Sequence, residues 1–213
     1  AMADDMAAFG FDRQQIYATG IPITLTASHL ARREAQEQAG LSEDLPTLLL
    51  MGGGLGLGDM DTTLAALEQV EQRLSILVVA GRNTALEERA RVMAQRSHHA
   101  VYVRGYTNEV PVLMRASDLL ITKPGALTIS EAFAAGLPLL LHDPIPGPET
   151  ENAVYATRCG AAVWLHPGER MAPAVEEILA HRLPAMRRAA HACAREEAAQ
   201  RAAGILMEML RGK

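Results

Sequence analysis

Short apolar runs recur along this chain, and helix-length segments separate them. Ile76-Leu-Val-Val79 is the clearest, and Thr47–Met51 and Leu119–Ile121 share its character. A strand with one face in water alternates apolar and polar residues, whereas a strand apolar throughout is buried on both faces. Such strands pair in parallel, with a helix making each return crossing. The spacing predicts strands at Thr47–Met51, Ser75–Ala80, Ala100–Arg104, Leu119–Thr122, Pro138–Leu141 and Ala161–Leu165. Helices are expected between them at Thr62–Arg73, Ala85–Ser97, Val110–Ala116, Leu127–Ala135 and Glu151–Cys159, then near Pro173–Leu179. The fold class is therefore α/β, a doubly wound, Rossmann-like parallel sheet, and ligands are expected beyond the carboxyl ends of its strands.

Before this core, Gln15–Ala18 reads as a short strand and Ser28–Ala39 as a helix stopped at Gly40. After it, an Ala-rich segment from Met186 to Met209 reads as one final helix. These readings divide the chain into an entry segment, residues 1–20, a ligand-binding domain, 21–180, and a helical arm, 181–213. An arm whose apolar stripe is left uncovered favours self-association.

A formal charge of −5 over 213 residues gives no general attraction to nucleic acid or to anionic lipid. Cys159 and Cys193 match no metal or redox spacing and read as small buried hydrophobes. No apolar run reaches the roughly 20 residues that span a bilayer, and no secretory signal opens the chain. The expectation is a cytoplasmic protein, peripheral to a membrane through parts outside this chain.

Chemistry concentrates at two turns. Leu119–Ile121 runs through Lys123-Pro124-Gly125 into a helix whose first residues include Thr128, Ser130 and Glu131. Free N–H groups at a helix start favour bound phosphate. A carboxylate one turn further along can accept hydrogen bonds from vicinal sugar hydroxyls, so the pair points to a nucleotide. Met51-Gly-Gly-Gly-Leu-Gly-Leu-Gly58 lets a backbone approach an anion closely. It lacks the lysine of a P-loop and the spacing of a dinucleotide fingerprint. Without three ligands in one place, His142-Asp143 is not read as a metal site, and His98-His99 reads as a solvated helix end.

Three linked motifs carry a family resemblance: Lys123-Pro-Gly-Ala-Leu-Thr-Ile-Ser-Glu131, Ala135-Gly-Leu-Pro138 and Pro144-Ile-Pro-Gly-Pro-Glu-Thr-Glu-Asn152. They resemble the C-terminal, donor-binding half of GT-B glycosyltransferases. The similarity is to monogalactosyldiacylglycerol synthases and processive diacylglycerol glucosyltransferases, and more distantly to the lipid-linked glucosaminyltransferase of peptidoglycan synthesis. It extends from about Gly20 to about Leu179.

The resemblance implies a UDP-hexose donor, a diacylglycerol-type acceptor and no added cofactor or metal. It places Gly53, Gly54 and Gly56 against the diphosphate, with Arg82 nearby. By the resemblance Thr107 and Val110 would flank the base, and Gly125, Ala126, Leu127 and Thr128 would meet phosphate; read from its residues alone, the first of these segments is a capped loop with Asn108 as N-cap. Glu131 matches the ribose-binding glutamate, and Glu149 and Asn152 match sugar-reading positions. The family's catalytic base belongs to an N-terminal acceptor domain with no counterpart here, so no catalytic residue is assigned and transfer is not expected of this chain alone.

Two positions depart from the family pattern: Thr24 stands where relatives carry arginine, and Pro148 where they carry a hexose-contacting glutamine. A UDP-sugar 2-epimerase fragment shares the donor site and remains an alternative. A non-catalytic nucleotide-binding module is a third reading, and the altered Thr24 and Pro148 favour it.

Overall fold

The computed structural model describes residues 2–24, 26–27, 29–41, 45–52 and 60–211. They divide into two compact units, Thr24–Ala194 and a smaller one built from Ala1–Ile23 with Arg195–Lys213. In the larger unit, strands β1 (Thr47–Met51), β2 (Ser75–Val79), β3 (Ala100–Arg104), β4 (Leu119–Thr122), β5 (Leu139–Leu141) and β6 (Ala162–Trp164) form one sheet. Their order is β3-β2-β1-β4-β5-β6, and every pairing is parallel.

Alternate residues along a strand point to opposite faces, and both faces of this sheet are filled with aliphatic side chains. Leu49, Leu77, Leu120 and Leu139 pack beneath α2 (Arg32–Ala39), α5 (Val110–Ala116), α6 (Ala126–Ala134) and α7 (Pro148–Arg158). Leu48, Leu50, Ile76 and Ile121 face α3 (Met60–Leu67), α4 (Thr84–Ala94) and α8 (Met171–Glu177). A π turn at Ile178–Arg182 leads into α9 (Leu183–Cys193), whose Pro184 cannot donate a backbone hydrogen bond. Gly40 closes α2 with φ 70°, a left-handed conformation that costs glycine nothing.

At the amino ends of the central strands, β1 and β4 are joined by polar bonds. Asp118 donates its N–H to Thr47 O at 2.7 Å, and its carboxylate accepts Thr47 N–H at 2.9 Å. The same carboxylate takes Arg32 from α2 and Arg187 from α9, each at 2.5 Å. Burial pulls the Arg187 guanidinium below its ordinary pKa; Asp118 opposes this, and Arg32 and Arg115 add to it.

Several elements differ from the sequence expectation. Gln15–Ala18 forms no strand; a single 3-10 turn, Arg13–Gln15, lies there, with the Asp12 carboxylate accepting Gln14 N–H at 2.9 Å. A strand needs a neighbour to pair with, and a capped turn does not. The helix expected from Ser28 begins at Arg32, after the Glu34 carboxylate accepts Ala31 N–H at 2.8 Å. The single final helix is two: α9 ends at Cys193, Ala194 turns extended (ψ 145°), and α10 runs Ala198–Arg211. No glycine or proline marks that break. In the smaller unit, α1 is Met2–Ala8, and the Leu206, Met207, Met209 and Leu210 side chains of α10 are at least half exposed.

The helix after β1 stops at Leu67, well short of Arg73, because His99 reaches its end from across the chain. His99 is buried, not solvated; its Nδ1 accepts Leu74 N–H at 3.3 Å and its Nε2–H donates to Leu67 O at 2.9 Å. Only a neutral ring makes both bonds, and burial, with His98 beside it, lowers its pKa. A lowered folded pKa means the unfolded chain binds the proton more readily. The stabilisation is therefore complete above the ordinary histidine value of about 6.5 and is lost as pH falls below it. His99→Ala should cost about 1–3 kcal/mol in urea unfolding at pH 8, and the gap to wild type should narrow by pH 5. A pH-independent gap would mean that His99 contributes by packing alone.

Candidate functional site

Helices that follow parallel strands begin at the sheet's carboxyl edge, and α5, α6 and α7 bring their starts there. Residues 53–59 of the loop between β1 and α3, among them Gly53, Gly54 and Gly56, lie outside the described residues, as does Ser28.

Thr122 ends β4 buried, and Lys123-Pro124-Gly125 then turns the chain. Gly125 N–H donates to Lys123 O at 2.8 Å, and Gly125 O accepts Ile129 N–H at 3.0 Å as α6 begins. Gly125 is the N-cap and supplies no side-chain cap. The N–H groups of Ala126, Leu127 and Thr128 form the first turn, where a helix has no internal acceptors. They point an array of donors, with the positive end of the helix dipole, at the sheet edge. Ser130 Oγ turns back to Ala126 O at 2.9 Å, so it serves the helix.

Glu131 follows one turn along. Burial alone holds its carboxyl above the usual carboxylate range, and among the described residues it has no hydrogen-bond or ion-pair partner. A half-buried carboxylate without a partner carries a desolvation cost that a hydroxyl-bearing ligand would offset.

The structure gives several other expected contacts internal duties. Asn83 caps α4 by accepting Leu86 N–H at 3.0 Å, while Arg82 lies over the Tyr106 ring at 5.0 Å, a cation–π contact. The expected Asn108 cap is absent: Glu109 is the N-cap of α5, and Thr107 Oγ1 accepts Glu109 N–H at 3.0 Å. The shorter threonine side chain closes the turn one residue earlier. Val110, the first residue of α5, is partly exposed beside it.

The segment expected as a loop reading sugar hydroxyls is half helix. Gly147 turns with φ 94°, and α7 starts at Pro148 rather than Glu151. A proline in the first turn loses nothing, since its missing N–H would have had no partner. Glu149 pins the preceding loop by accepting Ile145 N–H at 2.7 Å. Asn152 Nδ2 donates to Pro124 O at 3.0 Å, tying the start of α7 to the turn before α6. The structure thus brings Gly125–Thr128, Glu131 and Asn152 into one neighbourhood.

Residues 47–205 match the family described as Glycosyltransferase family 28 C-terminal domain. The chain belongs to that family. Among curated relatives, the glycosyltransferase domain is 37% identical over 164 residues to a chloroplast protein of Oryza sativa subsp. indica named probable monogalactosyldiacylglycerol synthase 2, a match covering 73% of this chain and 34% of the relative. It is 30% identical over 175 residues to the processive diacylglycerol beta-glucosyltransferase of Bacillus pumilus, covering 82% and 46%. The chain therefore spans between a third and a half of the length of these relatives. Among solved structures, MurG of Acinetobacter baumannii superposes with TM-score 0.70 at 23% identity, over 87% of this chain and 55% of that one. Anabaena HepE, in a complex with UDP-glucose, superposes with TM-score 0.64 at 17% identity, over 97% and 61%. The shared fold is the C-terminal half of GT-B, as its parallel sheet and motifs imply. No helix among the described residues is long and apolar enough to cross a membrane.

Proposed function

We propose that this glycosyltransferase domain binds the UDP-sugar donor of a glycolipid-forming hexosyltransferase. The single observation that carries the reading is the start of α6: three N–H donors at Ala126–Thr128 with the unpartnered Glu131 one turn beyond. Phosphate at a helix start and a ribose diol on a carboxylate suit a nucleoside diphosphate. The relatives' names supply the class of transfer, a hexose moved to diacylglycerol.

In this reading the first-turn N–H groups and the helix dipole stabilise the charge that builds on the departing diphosphate. Glu131 holds the ribose. Thr107 and Val110 flank the base, and Asn152, with Glu149 bracing its loop, faces the hexose. Gly53, Gly54, Gly56 and Arg82 attend the diphosphate. The acceptor lipid and the catalytic base belong to an N-terminal domain, so this chain alone holds donor without transferring it. The work takes place at the cytoplasmic membrane face where such lipids lie.

Thermal unfolding with UDP, UDP-glucose, UDP-galactose and NAD tests the reading. At about 100 times its dissociation constant, a ligand adds about 2.7 kcal/mol, a rise on the order of 5–10 °C for a chain of this size. UDP compounds should give that rise and NAD none. A response to NAD alone would point to a dinucleotide-binding module and overturn the proposal.

A further inference from the structure

A second cleft opens on the α3 side of the same sheet edge, and it contains none of the residues assigned to the donor. It measures about 380 Å³ and lies between α3, the carboxyl end of β5 and the loop from β6 to α8, within the size range of small-ligand sites. His142, only 7% exposed, lines it. Its Nδ1 is 3.0 Å from Asp143 Oδ2. Asp143 itself is held at φ 43°, a left-handed conformation uncommon for a residue with a side chain.

An ionised Asp143 accepts from Nδ1–H, which leaves Nε2 with a lone pair. Nε2 has no partner among the described residues, so a nine-tenths-buried ring presents an unmatched acceptor to the cleft. Gln69, Glu169 and Arg170 line the same cleft. The turn that carries Glu169 and leads to Arg170 is fixed: His166 N–H donates to Glu169 Oε2 at 2.6 Å, and Glu169 N–H to His166 O at 3.0 Å.

The chemistry of this lining selects among ligands. Among the described residues no three metal-binding side chains gather. Asp143 and Glu169 disfavour an anion, and Arg170 disfavours a cation. An apolar ligand would leave the histidine acceptor buried and unmatched, a cost that hydrogen bonding must otherwise offset. A hydroxyl donates to Nε2 and accepts from Arg170 or Gln69 with the same oxygen. A ring bearing several hydroxyls meets the whole set.

We propose that this cleft binds a hexosyl group at a subsite separate from the nucleotide, with His142 Nε2 accepting a ring hydroxyl. The hexosyl group can come from a free glycoside or from the headgroup of a glycolipid. The inference does not depend on the donor assignment.

Amide resonances of the whole chain, followed by NMR during titration, test it. The probes are methyl glucopyranoside, methyl galactopyranoside, glucosyldiacylglycerol in micelles, and inorganic phosphate, each with and without saturating UDP. Either methyl glycoside should move the amides of His142, Asp143 and Gly168–Arg170 whether or not UDP is present. A stronger response to the micelles would assign the lipid-borne source. His142→Ala and Arg170→Ala should each weaken the glycoside about tenfold and leave UDP affinity unchanged. Glycoside shifts confined to Thr107, Val110 and Gly125–Glu131 would sink the proposal, as would cleft shifts with phosphate only or no cleft shift with any sugar. If UDP moves nothing while glycosides move the cleft, the donor reading fails and the second subsite stands.

Discussion

Glu131→Ala is expected to weaken UDP binding by about 2–4 kcal/mol, on the order of 30- to 1,000-fold, in calorimetric titration. The estimate is that of losing the charge-assisted hydrogen bonds that two vicinal hydroxyls donate to a carboxylate. The same residue should show the opposite sign in stability. Burial raises the Glu131 pKa in the folded chain with no partner to offset it. Below the ordinary glutamate value of about 4.5 the group is protonated in both states and nothing is lost. As pH rises through the folded value, the unfolded chain ionises more readily, and that difference subtracts from stability. Glu131→Gln should therefore unfold at a higher temperature than wild type at pH 7 without ligand, and the two should converge near pH 4. A variant that binds UDP as wild type does would remove Glu131 from the ribose site. A variant less stable at pH 7 would show that the carboxylate has a structural partner.

Asp118→Ala is expected to cost about 3–5 kcal/mol in unfolding free energy, the usual penalty when one partner of a buried ion pair is removed. For a chain of this length that lowers the melting temperature on the order of 10 °C. The loss is large because Asp118 answers three donors at once: Thr47 N–H, Arg32 and Arg187. Without it, two guanidiniums face each other beside a strand start, and a buried N–H loses its acceptor. Asp118→Asn keeps an acceptor for Thr47 N–H and should cost less. Asp118 lies at the amino ends of the strands, opposite the helix starts that hold the candidate site. Folded Asp118→Ala should thus bind UDP with wild-type affinity, and reduced affinity would couple the two ends of the sheet.

The sheet was legible because its information is local. An uninterrupted apolar strand such as Ile76–Val79 states its own burial, and four predicted spans coincide with their elements: Thr47–Met51, Ala100–Arg104, Val110–Ala116 and Leu119–Thr122. Helix ends set by distant groups were not legible. Leu67 closes α3 through a histidine 32 residues away. The break at Ala194 has no local signal. In the candidate site, the start of α6 was readable from a Pro-Gly turn before an apolar, helix-forming run. The turn closed by Thr107 in place of a cap by Asn108 was not, because either side chain can accept a nearby backbone N–H. Nor was the second bond of Asp118: its place just before an apolar strand hints at a buried carboxylate, but nothing in the sequence names α9 as a partner.

The bond from Asn152 Nδ2 to Pro124 O bears on how such a domain changes its preference. In the proposed donor site, exchanges that retune hexose choice would fall at the start of α7, yet this amide also braces the turn proposed to meet the phosphate. Substitutions there cannot act independently of those around Gly125, so their effects should depend on the order in which they arise. A path from one sugar to another would then run through variants with weakened hold on every UDP-sugar, unless a change near Pro124 comes first.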